Sequence, residues 1–174
     1  MDDNFLTALG FTLRWEGGYS YNSADPGGAT MKGIIQTVYD SWRQIHGLPV
    51  QDVKNISDDE VNEIYFNNYW KGGYCNLMSA KLATAHFDAC VNCGCGQAAK
   101  FLQSALSVTV DGGIGPETLT ALTNANQDDI AGQVIILREG FYRGLVQEKP
   151  VLGQFLEGWL ARAENLKTFI AGLS

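Results

Sequence analysis

The chain has 174 residues, of which 45% are apolar and 18% charged, with 20 glycines. That composition excludes a disordered protein and suits one globular domain, or two small ones sharing a core. Twelve basic against 19 acidic residues leave a formal charge of -7, which argues against a nucleic-acid partner or an anionic membrane surface.

Met1-Asp2-Asp3-Asn4-Phe5 carries acids where a signal peptide would carry positive charge, and no apolar run follows. No window approaches the roughly 18 apolar residues that span a bilayer. These features predict synthesis in the cytoplasm without a classical signal, no membrane insertion, and export by a separate machine.

Phe5, Leu6, Leu9 and Leu13 recur at helical spacing and predict an amphipathic helix from Asp3 to Glu16, stopped by Gly17-Gly18. Tyr19 to Ile35 mixes Asp-Pro, Gly-Gly and a short apolar return, which suits an irregular loop or small hairpin. Val38, Tyr39, Trp42 and Ile45 predict a second helix, ended by Gly47 and Pro49. Ser57-Asp58-Asp59-Glu60 offers a capping box for a third, with Val61, Ile64 and Tyr65 turned inward.

Lys71-Gly72-Gly73-Tyr74 breaks the pattern and is read as a junction, dividing residues 1–72 from a helical second part, 73–174, packed with it as one unit. Leu82, Ala85, His86, Ala89 and Cys90 fit one helix there, and Ala98, Phe101, Leu102 and Leu106 the next. Pro116 begins a short helix. Two longer ones follow, with Ile130, Val134, Leu137, Phe141 and Leu145 striping the first and Phe155, Trp159, Leu166 and Ile170 the second. The fold class expected is mainly α with one small β-hairpin.

Chemistry is suggested by three residues in order. Glu16 ends a helix beside Trp15, and an apolar neighbour suits a carboxyl that must carry a proton near neutral pH. Asp25 stands in an Asp-Pro-Gly-Gly turn, and Thr30 on the return strand. A carboxylic acid facing a carboxylate and a hydroxyl across a hairpin suits glycoside hydrolysis, the first protonating the leaving oxygen while the others hold and activate a water. Read singly, Glu16 is better taken as a helix-end glutamate, Asp25 as a turn former and Thr30 as a strand residue.

Taken in register, Glu16-Gly17-Gly18-Tyr19, Asp25-Pro26-Gly27-Gly28-Ala29-Thr30 and Lys32-Gly33-Ile34 resemble the signature of glycoside hydrolase family 108. Behind them, His86-Phe87-Asp88-Ala89-Cys90-Val91-Asn92, Asp111-Gly112 with Ile114-Gly115-Pro116, and Gly158-Trp159-Leu160 with Arg162 resemble the peptidoglycan-binding region that follows it in that family. The resemblance implies a lysozyme-like helical fold and cleavage of the bacterial glycan strand between N-acetylmuramic acid and N-acetylglucosamine. It makes Glu16 the catalytic acid, and the Glu, Asp, Thr order also resembles that of phage-type lysozymes, which implies Asp25 as the base and Thr30 as the water-holding hydroxyl. A water between the two carboxyls would require a separation of roughly 6.5–9.5 Å and would invert the anomeric carbon.

Tyr19, Tyr21, Tyr69 and Trp70 are candidates to line a sugar groove, with core packing as the competing role. Trp42, Phe101, Phe141 and Trp159 are read as core. Lys32, Lys71 and Arg162 could form a local cationic cleft. Asp88 and Asn92, one helical turn apart, are either cleft residues or, the favoured reading, hydrogen-bonders joining the two halves. His46 and His86 have no partner visible in sequence.

Cys75, Cys90, Cys93 and Cys95 lack the paired hooks of a zinc site, so buried thiols are favoured over disulfides and over metal. No cofactor is expected. Peptidoglycan is the expected partner of a monomer that serves as a phage-type endolysin or as a toxin effector. Holin-type release or a secretion system would deliver it to the wall or periplasm, and an immunity protein would fit the effector role. Two other readings stay open: a lytic transglycosylase, and a noncatalytic wall-binding module.

Overall fold

A computed structural model of the chain describes residues 2–21 and 28–173. Helix α1 runs Asp3–Leu13, capped by the Asp2 carboxylate, which accepts from the Asn4 amide. It stops three residues short of Glu16. The Arg14 and Trp15 amides donate back to the carbonyls of Phe11 and Thr12, tightening the last turn, and Gly17 then takes a left-handed conformation at φ +69°. Glu16 is thereby moved off the helix into a turn.

The expected hairpin is short. Strand β1 (Thr30–Met31) pairs antiparallel with β2 (Ile34–Ile35), Thr30 opposite Ile35 and Met31 opposite Ile34, and Ser20 bridges Thr30 from the other side. Lys32 and Gly33, at φ +50° and +77°, close the two-residue turn with both residues left-handed, the form whose twist matches that of paired strands. Helix α2 (Gln36–Ile45) follows directly, then α3 (Asp58–Tyr65), whose start carries the full reciprocal capping box of Ser57 and Glu60. A π-helical turn, Phe66–Lys71, continues α3 and places Trp70 in the core.

Helix α4 (Ala80–Cys93) is the axis of the molecule. Every residue from Leu82 to Cys90 is buried, as expected of a helix enclosed on all sides. It is enclosed by α1, by α5 (Cys95–Ala105), by α7 (Gln127–Glu148) and by α8 (Gly153–Ala171). The short α6 (Pro116–Asn124) begins on Pro116 as expected. Gly73 passes so close to α4 that a Cβ there would lie 2.7 Å from Cys90 Sγ, so the double-glycine step is a tight crossing of chain over helix.

Two expected apolar stripes turn out to be rotated. On α7 the inward residues are Ile130, Ala131, Val134, Ile135, Arg138 and Tyr142, while Leu137 and Phe141 pack at the margin. On α8 they are Arg162, Ala163, Leu166 and Ile170; Phe155 is 49% exposed and Trp159 half-buried, stacked on Phe155 and Tyr142. Each shift exchanges apolar bulk for an inward arginine, and those arginines serve the site.

Candidate active site

Glu16 lies where the turn after α1, the hairpin turn, α3 and α8 converge. Its side chain is 19% exposed, and Arg162 Nη2 of α8 stands 2.8 Å from Oε1. The contact is one of charge, because Oε1 is buried and meets no donor in hydrogen-bond geometry among the described residues. The hairpin turn presses on the other side: a Cβ at Gly33 would fall 2.9 Å from Glu16 Oε2 and 2.6 Å from Tyr65 Oη. Tyr65, buried at the end of α3, donates to the Lys32 carbonyl at 2.7 Å and so ties the turn to the helix. Burial first, and then the Glu16 charge, raise the Tyr65 hydroxyl; burial, Cys95 and Glu16 do the same to Tyr69. Both phenols stay protonated donors.

Gly33→Ala is expected to destabilise the protein by about 1–3 kcal/mol, because the substitution adds left-handed strain and an overlap with backbone-tethered Tyr65. Activity should fall further than the population of folded protein. Thermal unfolding and a wall-lysis assay on the same preparation would check both.

Behind Glu16 runs a buried chain of charges. Arg162 grips the fully buried Asp88 through Nη2 at 2.7 Å and through Nε at 3.1 and 3.2 Å. Arg138 reaches the other carboxylate oxygen at 2.7 Å, and the Thr12 hydroxyl donates at 2.9 Å. Burial alone would raise the Asp88 carboxyl, but the two guanidiniums outweigh it and hold it below its ordinary value. Arg138 also donates through Nε to Tyr142 Oη, which donates to Asn92 Oδ1. The set spans α1, α4, α7 and α8, and its four charges, Glu16, Asp88, Arg138 and Arg162, sum to zero when both carboxyls are ionised.

The other expected site residues fall into distinct places. Thr30 sits on β1, joined through its backbone to Ser20, in the hairpin whose turn closes on Glu16. Asp25 lies outside the described residues. Tyr69 is half-buried near Glu16, while Tyr19 and Tyr21 are exposed, with the Lys54 ammonium over the Tyr19 ring. Lys32 pairs with Asp58 at 2.5 Å. One expectation is corrected, and one choice between two readings is decided. Trp70 is 1% exposed, wedged edge-on between Phe5 and Phe87, so it is core and cannot stack on a sugar. Asp88 has no surface to offer a ligand and is the structural member of its pair. Asn92 is exposed at the network's outer end.

His86 is wholly buried, and burial pushes its imidazole down to about 4 against a weak opposing pull from the Gly73 backbone, which keeps it neutral. The thiol of Cys90 is raised by contact with Cys75 and by burial, and that of Cys95 by contact with Cys90 and by burial. Protonated thiols are poor nucleophiles, and among the described residues no group of three His, Cys, Asp or Glu could hold a metal.

Residues 9–94 match the family model described as Glycosyl hydrolase 108, and residues 97–164 match that described as Predicted Peptidoglycan domain. The chain belongs to glycosyl hydrolase family 108. The structure of Brucella abortus SagA is similar to it over 98% of this chain and 95% of that one, with 28% identity and a TM-score of 0.79. None of the curated proteins matches. The mainly α, lysozyme-like fold with an N-terminal hairpin is thus established, and a glycosyl hydrolase 108 chain with a peptidoglycan domain is a glycoside hydrolase directed at peptidoglycan. The first matched span ends at Gly94 and the second begins at Gln97, yet Arg162 of the second reaches Glu16 of the first. No described helix is long and apolar enough to cross a membrane.

Sequence reasoning reached Glu16 through its motif and named Arg162 as a cation of a local cleft, without its pairing to Glu16 and Asp88. It missed Arg138, Tyr142 and Tyr65. A signal existed for the first: Arg138 interrupts the apolar residues of α7 at a helical spacing from both Val134 and Tyr142.

Proposed function

We propose that this protein is an N-acetylmuramidase in which Glu16 is the general acid, cleaving the β-1,4 bond between N-acetylmuramic acid and N-acetylglucosamine. The observation that carries the reading is the placement of the Glu16 carboxylate: partly buried where the turn after α1, the hairpin turn and α8 converge, with Oε1 meeting no hydrogen-bond donor among the described residues and Oε2 facing the hairpin turn. A buried polar atom without a partner costs free energy, and such atoms mark places where a ligand completes the set. Arg162 retains Asp88 whatever Glu16 does, so proton transfer at Glu16 leaves the scaffold of the site standing.

Asp25 is the base and Thr30 the hydroxyl that holds the attacking water, on the resemblance of the Glu, Asp, Thr order to that of phage-type lysozymes. The biological setting proposed is lysis by a phage-type endolysin or killing by an effector, the protein reaching the wall by holin-type release or secretion.

Purified peptidoglycan digested with the wild-type protein and analysed by mass spectrometry reads bond and mechanism together. Fragments with reducing muramic acid ends are expected. Anhydro ends would make the protein a lytic transglycosylase, in which the sugar's own hydroxyl replaces water. Digestion confined to the peptide would overturn the glycosidase assignment.

A further inference from the structure

Between the end of α1 and the C-terminal half of α8 lies a cleft of about 460 Å³. Arg14 and Trp15 stand on one wall and Glu164 and Asn165 on the other, with Phe11 and Phe169 between. It adjoins the site on both walls, since Trp15 precedes Glu16 and Asn165 is one helical turn beyond Arg162. We propose that this cleft is a subsite for the peptide part of the wall polymer, taking a short peptide that carries a free carboxylate and a free amine. The proposal rests on the muramidase reading and deepens it.

The charges select the ligand. The guanidinium of Arg14 lies 5.1 Å from the Phe11 ring centre and 5.4 Å from that of Phe169, so two aromatic faces fix its plane while it remains exposed. Among the described residues neither Arg14 nor Glu164 is in an ion pair, although they stand on the two walls of one cleft. Asn165 donates its amide to the Ala161 carbonyl, which leaves its side-chain oxygen as an acceptor. A fixed guanidinium fork matches a carboxylate, and an acidic wall opposite it matches an ammonium group. A neutral pyranose would leave both charges unused. The peptide of a wall polymer with a diamino acid carries both groups, attached to the sugar next to the bond that Glu16 would cleave.

The test compares kcat/KM on intact peptidoglycan and on glycan strands stripped of peptide by an amidase. The ratio of the two is expected to fall about tenfold in Arg14→Ala, the loss of one charge-assisted contact, with a smaller fall in Glu164→Gln. An unchanged ratio, including an equal loss on both substrates, overturns the proposal. Binding of a free diaminopimelate-containing tetrapeptide to Glu16→Gln, followed by NMR, reads the cleft without catalysis. Shifts at Trp15 and Asn165 that vanish in Glu16→Gln/Arg14→Ala support the subsite, and their absence overturns it. If wild-type protein cleaves neither substrate, the muramidase reading fails, and the tetrapeptide experiment still decides the cleft.

Discussion

A Glu16→Gln protein is expected to fold as the wild type does and to lose glycan-strand cleavage by at least about a thousandfold. The substitution keeps the shape and an acceptor oxygen for Arg162 but removes the transferable proton. It should cost little stability, within about 1 kcal/mol, because Arg162 keeps its contacts to Asp88. The circular dichroism spectrum and unfolding midpoint establish the fold, and release of reducing ends establishes the activity. Near-normal turnover in a folded Glu16→Gln protein would remove Glu16 from the mechanism altogether. Asp25→Asn on the same assay separates the two glycan-cleaving chemistries: loss by orders of magnitude fits a base acting on water, and retained activity with anhydro ends fits an intramolecular attack.

What was legible in the sequence followed from how local each cause is. The capping box at Ser57 and Glu60 and the helix start at Pro116 depend on neighbours within a few residues, so local patterns found them, and a small hairpin was expected between Tyr19 and Ile35 without its turn being placed at Lys32-Gly33. The Glu16 motif was legible as a pattern, but its position past the helix end was not. That position depends on the carbonyls of Phe11 and Thr12 capturing the next amides. The charge network escaped because its links join residues 50 and 74 positions apart. Nothing in the local sequence of α7 tells whether Arg138 snorkels outward or turns into the core to meet Asp88. The rotated stripes on α7 and α8 are the same error seen from the apolar side: a stripe fitted to apolar residues alone turns away from any arginine that the fold buries. Trp70 was misplaced because a bulky aromatic beside a glycine pair reads alike as groove wall and as core.

The network also sets the largest expected effect on stability. Asp88→Asn leaves the guanidiniums of Arg138 and Arg162 facing one another with Glu16 as their sole remaining carboxylate, and breaking a buried pair in this way costs about 3–5 kcal/mol. For a chain of this size that is a fall in midpoint of roughly 10 °C. Thr12→Val removes a neutral donor to the same carboxylate and should cost about 1 kcal/mol, which separates the charge from the hydrogen bond. The pH dependence carries the sign. Because the folded protein holds the Asp88 carboxyl below its ordinary value of 3.8, its contribution is fully present above that value and is lost as the pH falls through the depressed one. The gap in midpoint between wild type and Asp88→Asn should therefore be constant from neutrality down to about pH 4 and narrow below it. A gap that persists unchanged in strong acid would show that packing, and not ionisation, holds the four helices together at this point. A second consequence concerns activity: with Asp88 neutral, Arg162 is no longer anchored from behind, and Glu16 loses its fixed direction. Turnover of Asp88→Asn, measured at a temperature where it is fully folded, should fall with little change in KM. If kcat stays at the wild-type level there, the network is a staple between the two matched regions and takes no part in positioning the acid.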